Sequence, residues 1–161
     1  MTKNYFTLLN LEKSLTLDIT TLKKAYFKAQ QQCHPDRATH NTQKLEFLQR
    51  SADVNQAYHT LKDFTSRLNY ILKLNAVDID SEKAPKAPPA LLMESMEWRE
   101  QWMACDTDDE KTQFKIAINA KIQQQTTCAI DAYHQNDIDA MLEAAMTLRY
   151  LNRMQQEIAR G

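Results

Sequence analysis

Apolar residues recur at three- and four-residue spacing along most of the chain, and this spacing predicts helices. Residues 5–9 (YFTLL) form a short apolar opening, which we expect to make one or two helical turns. Asp18 is suited to cap the next helix, which is expected to run to about Cys33. The core face of that helix is predicted to carry Ile19, Leu22, Tyr26, Ala29 and Cys33.

A second long helix is predicted from about residue 42 to residue 61. Tyr58 and Leu61 are expected to pack against Tyr26, so that the two helices form an antiparallel hairpin. The packing side of the second helix is marked only roughly, by Leu45, Leu48, Ala52, Asn55 and the pair Tyr58-His59. Residues 67–75 are predicted to form a shorter helix with a buried side made of Leu68, Ile71 and Leu72.

The composition changes between residues 78 and 90, where three of the four prolines lie among Asp, Ser, Glu and Lys residues. Such a segment is typical of a stiff polar connector and not of a core element. We therefore predict a first domain over residues 1–76, a connector over residues 77–88 and a second domain over residues 89–161.

The second domain is predicted to be a bundle of three helices joined by short loops. Its first helix is expected over residues 89–103, with Pro89 in the first turn, where a missing backbone N–H costs nothing. Residues 106–110 (DTDDE) place negative charge at the start of a second helix, which continues to about Tyr133. The pair Asn136-Asp137 caps the third helix. The predicted fold class is all-α: an N-terminal helical hairpin and a C-terminal three-helix bundle.

Composition and charge narrow the class of protein. The single glycine in 161 residues argues against a hairpin-rich β protein. A net charge of −1 gives no general attraction to nucleic acid or to an anionic membrane. No run approaches the apolar length of a membrane span, and residues 2–4 lack the apolar core of a signal peptide. We expect a cytoplasmic protein that binds neither nucleic acid nor membrane.

The three cysteines, Cys33, Cys105 and Cys128, are widely spaced and form no Cys-x-x-Cys pair. They are expected to be reduced thiols, and a structural zinc site is not expected. His40 and His59 also lack ligand partners at useful spacing. We therefore predict no metal site and no cofactor.

The segment His34-Pro35-Asp36 ends the first long helix, because proline lacks a backbone N–H and disfavours the α region for the residue before it. Lys23, Lys24 and Lys28 lie outside the core stripe of that helix. Taken alone, these features are compatible with a helix stop, a polar turn and a solvated helix face.

The first helix of the second domain carries two apolar stripes. Leu91, Trp98 and Trp102 suffice as a core stripe. A second stripe on another side of the helix is formed by Leu92, Met96 and Met103. Met93 flanks this second stripe, and Glu97 and Glu100 lie beyond it. The second stripe is either part of a broad core face or an exposed, methionine-rich docking patch with carboxylates at its edge. The pattern alone leaves both open.

Together, Lys23-Lys24-Ala25-Tyr26, His34-Pro35-Asp36 and residues 55–61 (NQAYHTL) resemble the J-domain, the module that activates heat-shock ATPases of the DnaK type. The resemblance implies that the chaperone-binding residues are His34, Pro35, Asp36, Lys23, Lys24, Lys28 and Arg37. Such charges steer the encounter more than they add affinity, so a fast, salt-sensitive contact is expected. Phe27 and Gln30–Gln32 replace further basic residues, which suggests a dedicated chaperone partner.

Over the full chain, the sequence resembles the HscB family of iron–sulfur co-chaperones. Residues 91–100 (LLMESMEWRE) are similar to that family's segment for binding IscU, the cluster-assembly scaffold, and residues 147–152 (TLRYLN) match its aromatic-bearing segment. The resemblance implies that the scaffold-binding residues are Leu92, Met93, Met96, Glu97, Glu100 and Tyr150. It implies a protein that delivers an IscU-like scaffold to an HscA-like, DnaK-type chaperone and stimulates its ATPase.

Three alternatives have less support. An enzyme could use Cys33 as a nucleophile or pair His34 with Asp36, but no second base or phosphate-binding loop accompanies them. A metal or cluster carrier would use the three cysteines, and their spacing is poor. A helical adaptor without ATPase-stimulating activity is the principal alternative. We predict that the chain is not an enzyme.

Overall fold

The computed structural model describes residues 4–161, and none of these residues forms a β-strand. The described residues form seven α-helices and one short 3₁₀ turn, which agrees with the predicted all-α fold class. In chain order these are α1 (Tyr5–Leu8), α2 (Ile19–Gln32), the 3₁₀ turn (Pro35–Arg37), α3 (Asn41–Lys62), α4 (Phe64–Leu74), α5 (Pro89–Met103), α6 (Asp108–His134) and α7 (Ile138–Arg160).

The chain divides into two compact units between Tyr70 and Ile71, so the division falls within α4. The predicted limits, 1–76, 77–88 and 89–161, stay a prediction. None of the helices in the described part of the chain is both long and apolar enough to cross a bilayer. Residues 4–161 also contain no cluster of three or more His, Cys, Asp or Glu side chains that could hold a metal ion.

In the first unit, α2 and α3 form the predicted antiparallel hairpin. Asp18 caps α2 as expected, accepting a hydrogen bond from the backbone N–H of Thr21 at 3.0 Å. The rings of Tyr26 and Tyr58 stack with centroids 4.3 Å apart, and the Tyr26 hydroxyl donates to Asn55 Oδ1 at 2.6 Å. One turn further along, the Ser51 hydroxyl is 2.9 Å from the side-chain oxygen of Gln30. These contacts fix the register of the hairpin.

The predicted packing side of α3 is wrong at Leu45, Leu48 and Ala52, whose side chains are exposed, whereas the buried residues of α3 are Val54, Ala57 and Leu61. Asn55 is also exposed, but its side chain faces α2 and accepts the hydrogen bond from Tyr26. The reason is the difference in length, since α3 has 22 residues and α2 has 14. In the observed register the first turns of α3 extend past the end of α2, so α2 does not cover Leu45 and Leu48. On α2 itself, Ile19 is exposed at the helix start, while Leu22 and Cys33 are fully buried.

A buried arginine links three segments of the first unit. Arg67 is 5% exposed and donates to the carbonyl oxygen of Leu15 at 2.8 Å and to that of Leu61 at 2.6 Å. Burial lowers the pKa of its guanidinium. Nearby in sequence, the Tyr70 hydroxyl accepts the backbone N–H of Tyr5 at 2.8 Å, and the two rings stack. These bonds attach α4 to the loop at Leu15, to the end of α3 and to the start of α1.

In the second unit, α5, α6 and α7 form the predicted bundle. The N-cap of α6 is Thr107, and Thr107 and Glu110 form a capping box. Asn136 has φ of 54°, a left-handed conformation that ends α6, and Asp137 caps α7. The largest fully buried side chains of the core are Ile118, Met141, Leu148 and Leu151.

The helices α5 and α7 run parallel. Arg99 forms a bidentate ion pair with Glu157, with Nη2 and Oε1 2.7 Å apart, and Trp102 lies beside Gly161 at the ends of both helices. Trp102, predicted to be core, is half-exposed, with its ring 5.7 Å from that of Phe114. The register set by Arg99 and Glu157 matters for the surface described below.

The segment between α4 and α5 was predicted to be a polar connector, but part of it packs against the bundle. Ile79 is buried, and Arg149 of α7 donates to its carbonyl oxygen at 3.4 Å and pairs with the Asp80 carboxylate. Periodicity could not predict this contact, because a single isoleucine among polar residues forms no stripe.

Candidate functional site

The first candidate surface is the turn that follows α2. Cys33 ends the helix, and its thiol is fully buried and donates to the Ala29 carbonyl oxygen. A nucleophilic cysteine has to be accessible to its substrate, so this position indicates a core residue. His34 is then the N-cap of the 3₁₀ turn, and Pro35 occupies the first turn, where its missing N–H is not needed. The side chains of His34 and Asp36 are 60% and 90% exposed. The turn is therefore available to a partner.

The turn orients the His34 imidazole. Its Nδ1 accepts the backbone N–H of Asp36 at 3.2 Å, so the proton of the neutral ring resides on Nε2. The Asp36 carboxylate lies 3.5 Å from the same Nδ1. One side of the ring is thus held by its own turn, while the Nε2–H donor and the Asp36 carboxylate are left for an external partner.

A basic face precedes the turn. Lys23, Lys24 and Lys28 are all exposed on α2, and Arg37 is exposed at the end of the 3₁₀ turn. Among these cations lies Phe27, which is 62% exposed and whose ring is tilted by 57° against that of Tyr26, with the centroids 5.6 Å apart. The fold does not use Phe27 in the core, so it adds an apolar element to the predicted chaperone-binding surface.

The second candidate surface lies on α5. Leu91 and Trp98 are buried, as the core stripe requires, whereas Leu92, Met93 and Met96 are 42%, 63% and 60% exposed. Of the two interpretations that the sequence left open, the structure therefore favours an exposed patch. Glu97 and Glu100 are also exposed, next to this patch on the same helix. We refer to Leu92, Met93 and Met96 as the α5 patch.

Tyr150 is half-exposed on α7, with the guanidinium of Arg153 5.4 Å from its ring centroid. Leu92 lies seven residues before Arg99, and Tyr150 lies seven residues before Glu157. The ion pair between Arg99 and Glu157 fixes the register of the parallel helices α5 and α7. Leu92 and Tyr150 therefore lie at the same level along the bundle, about two helical turns before that ion pair. The structure thus places Tyr150 at the level of the α5 patch.

Sequence reasoning missed Arg50. It lies on α3 and, together with Lys24 and Lys28 of α2, lines a groove on the first unit. The sequence offers no local signal for this, because Arg50 is more than twenty residues from either lysine and the three meet only through the hairpin.

Comparison with known proteins identifies both units. Residues 4–70 match the family model of the DnaJ domain, and residues 87–159 match the one described as the HSCB C-terminal oligomerisation domain. The first match defines the class of protein: the chain is a J-type co-chaperone.

Relatives and solved structures specify the family. The chain is 32% identical to the co-chaperone protein HscB homolog of Psychromonas ingrahamii, over 96% of this chain and 94% of that protein. It is also 32% identical to the iron–sulfur cluster co-chaperone protein HscB homolog of Arabidopsis thaliana, over 96% of this chain and 62% of that one. The structure of human HscB matches with a TM-score of 0.89 at 27% identity, covering 99% of this chain and 82% of that chain. Chaperone HscB from Vibrio cholerae matches with a TM-score of 0.85 at 26% identity, covering 98% and 96%.

The chain therefore belongs to the HscB family of co-chaperones, as the sequence predicted. Its relatives are co-chaperones and not enzymes, in agreement with the prediction that it is not an enzyme. The roles of the individual residues at both surfaces stay predictions.

Proposed function

We propose that this protein delivers an IscU-like iron–sulfur scaffold to an HscA-like, DnaK-type chaperone and stimulates the ATPase of that chaperone. Cluster assembly and transfer to acceptor proteins are thereby promoted, in the cytoplasm. The observation that carries the proposal is the exposure of two chemically different surfaces on one chain: the His34-Pro35-Asp36 turn and the α5 patch. The name of the Arabidopsis relative, an iron–sulfur cluster co-chaperone, supports the choice of cargo.

At the chaperone end, the cations of α2 attract an acidic surface and orient the turn against it. Lys23, Lys24 and Lys28 are exposed cations, so they raise the encounter rate and make binding sensitive to salt. The Nε2–H of His34 and the carboxylate of Asp36 then bond to chaperone groups that are aligned only in the hydrolysing conformation. Pro35 limits the backbone freedom of the turn, so that little entropy is lost on binding.

At the scaffold end, the α5 patch supplies apolar area and adaptable methionine side chains. Tyr150 lies at the level of the patch and provides a rigid, amphipathic contact of the kind that dominates interface energetics. Glu97 and Glu100 favour a partner with basic residues around its apolar contact.

Because both surfaces belong to one chain, binding of one partner raises the effective concentration of the other. Two weak contacts can then act together without a new direct contact between them.

The test at the chaperone end is the variant His34→Gln, assayed for stimulation of the HscA-like ATPase. We expect stimulation to be lost and scaffold binding to be unchanged, since His34 and the α5 patch lie in different units. Normal stimulation by the variant would refute the role of the turn. If the unmodified protein binds the chaperone without raising its ATPase rate, the protein is the helical adaptor instead.

A further inference from the structure

The methionines of this chain fall into two groups with opposite exposure. On α5, Met93, Met96 and Met103 are 63%, 60% and 82% exposed. Three others lie on α7 in the core of the bundle, with exposures of 1%, 8% and 3%: Met141, Met146 and Met154. The seventh, Met1, lies outside the described residues. The bundle thus protects one group of thioethers and leaves the other open to solvent.

The exposed thioethers share one side of a single helix. At 3.6 residues per turn, Met93, Met96 and Met103 fall within about 80° of arc around α5. The first two make up most of the α5 patch, whose third member, Leu92, has no sulfur. An oxidant dissolved in water therefore reaches two of the three patch side chains without any opening of the bundle.

We propose that Met93 and Met96 are sites of reversible oxidation by peroxides, and that their oxidation releases the scaffold. A sulfur lone pair attacks the terminal oxygen of hydrogen peroxide or of an alkyl hydroperoxide. The S–O bond forms as the O–O bond breaks, and the proton of the transferred oxygen passes to the departing one. Sulfur thereby loses two electrons, and the peroxide is reduced to water or to an alcohol. The product is methionine sulfoxide, which methionine sulfoxide reductases return to the thioether, as two thiols become a disulfide and the oxygen leaves as water.

Oxidation changes the chemistry of the patch where an apolar partner has to fit. A thioether is apolar and adaptable, whereas a sulfoxide oxygen accepts hydrogen bonds and is costly to bury without a donor. Leu92 is left as the only unchanged apolar side chain of the patch. The inference rests on the proposed function, because the scaffold has to cover this patch for oxidation to matter. It adds a control to that function: the rate of scaffold delivery falls when peroxide rises and recovers when the sulfoxides are reduced.

The test treats the whole chain with hydrogen peroxide and then with dithiothreitol. The second step reverses disulfides and sulfenic acids at Cys105 and Cys128, the two cysteines that are not buried, but leaves methionine sulfoxide in place. Peptide mass spectrometry locates the sulfoxides, which we expect on the methionines of α5 well before those of α7. Calorimetry with the IscU-like scaffold should show a rise in Kd of about tenfold or more, since two apolar contacts are lost. Methionine sulfoxide reductase should restore the original Kd, and the urea-unfolding midpoint should stay unchanged throughout.

Two sets of leucine variants assign the effect to the patch. The double variant Met93→Leu, Met96→Leu keeps the apolar volume of the patch and removes both sulfurs. Its Kd should therefore change by less than about twofold on peroxide treatment, the size expected of a conservative contact. The matched control Met103→Leu removes the most exposed sulfur of the same helix but leaves both patch methionines, so its Kd should still rise about tenfold.

The proposal is overturned if the Kd stays constant although both patch methionines are oxidised. It is also overturned if the double leucine variant loses affinity on treatment as the unmodified protein does, or if Met103→Leu is the variant that resists. The untreated protein separates this inference from the proposed function. If it does not bind the scaffold, the proposed function fails at that end and the inference fails with it; if it binds and is indifferent to oxidation, only the inference fails.

Discussion

Replacement of Met96 by serine tests whether the α5 patch binds the scaffold. Complete burial of a methionine side chain is worth about 1.5–3 kcal/mol. Met96 is 60% exposed in the free protein, so burying the remainder against a partner contributes roughly 1–2 kcal/mol. At about 1.4 kcal/mol per tenfold change, Met96→Ser should raise the Kd for the IscU-like scaffold by roughly fivefold to thirtyfold.

The triple variant Leu92→Ser, Met93→Ser and Met96→Ser removes the whole patch. The same calculation over the three exposed fractions gives a loss of roughly 2.5–5 kcal/mol, or about two to three and a half powers of ten in Kd. The free energy of unfolding should change little, because these side chains are exposed. Trp98→Ala, by contrast, removes a side chain that is 3% exposed and should destabilise the bundle by about 3–5 kcal/mol.

The matched control is Ile116→Ser, which removes a large apolar side chain that is 57% exposed on α6. Isothermal titration calorimetry with the scaffold measures all these affinities. If Met96→Ser and Ile116→Ser bind the scaffold equally well, the α5 patch is not the contact, whatever its exposure.

Three further predictions concern stability. Arg67→Met leaves two buried carbonyl oxygens without donors and should cost about 2–4 kcal/mol in urea unfolding; a loss below about 1 kcal/mol would contradict the role of Arg67. Burial raises the pKa of Tyr70, so its contribution to stability is complete below the ordinary value of 10.0 and is lost as pH rises through the folded-state pKa. Tyr70→Phe should therefore lose less stability than the unmodified protein between pH 9 and 11, roughly the range around that value. Hydrogen bonds from the backbone N–H groups of Thr107 and Asp106 lower the pKa of Glu110, so its contribution is present above the ordinary value of 4.5 and is lost as pH falls through the folded-state pKa. Glu110→Gln should weaken this acid-side loss of stability, and identical pH profiles would show that the capping box does not matter.

The features that the sequence predicted well have local causes. Asp18 caps α2, the proline of His34-Pro35-Asp36 ends it, and Pro89 starts α5, because each acts within one helical turn of its own position. The limits of α5 agree with the prediction, residues 89–103. Local chemistry of this kind is visible without knowledge of the packing.

The features that the sequence did not predict depend on contacts distant in the chain. Leu45 and Leu48 have the spacing of core residues, but α2 ends before it can cover them. Arg67 is buried only because the loop at Leu15 returns to it. Arg50 reaches the groove only through the register of the hairpin. In each case the deciding partner is far away in sequence, so periodicity carries no information about it.

The most direct measurement of the central claim is the ATPase rate of the HscA-like chaperone with this protein and the scaffold, added separately and together. If one chain holds both partners, the two together should stimulate the ATPase by more than the product of their separate effects. The triple serine variant of the α5 patch should keep the stimulation seen without scaffold and lose the synergy. The account would be contradicted if the unmodified protein and the scaffold together stimulated the ATPase by no more than the product of their separate effects. It would also be contradicted if the synergy persisted in the triple variant.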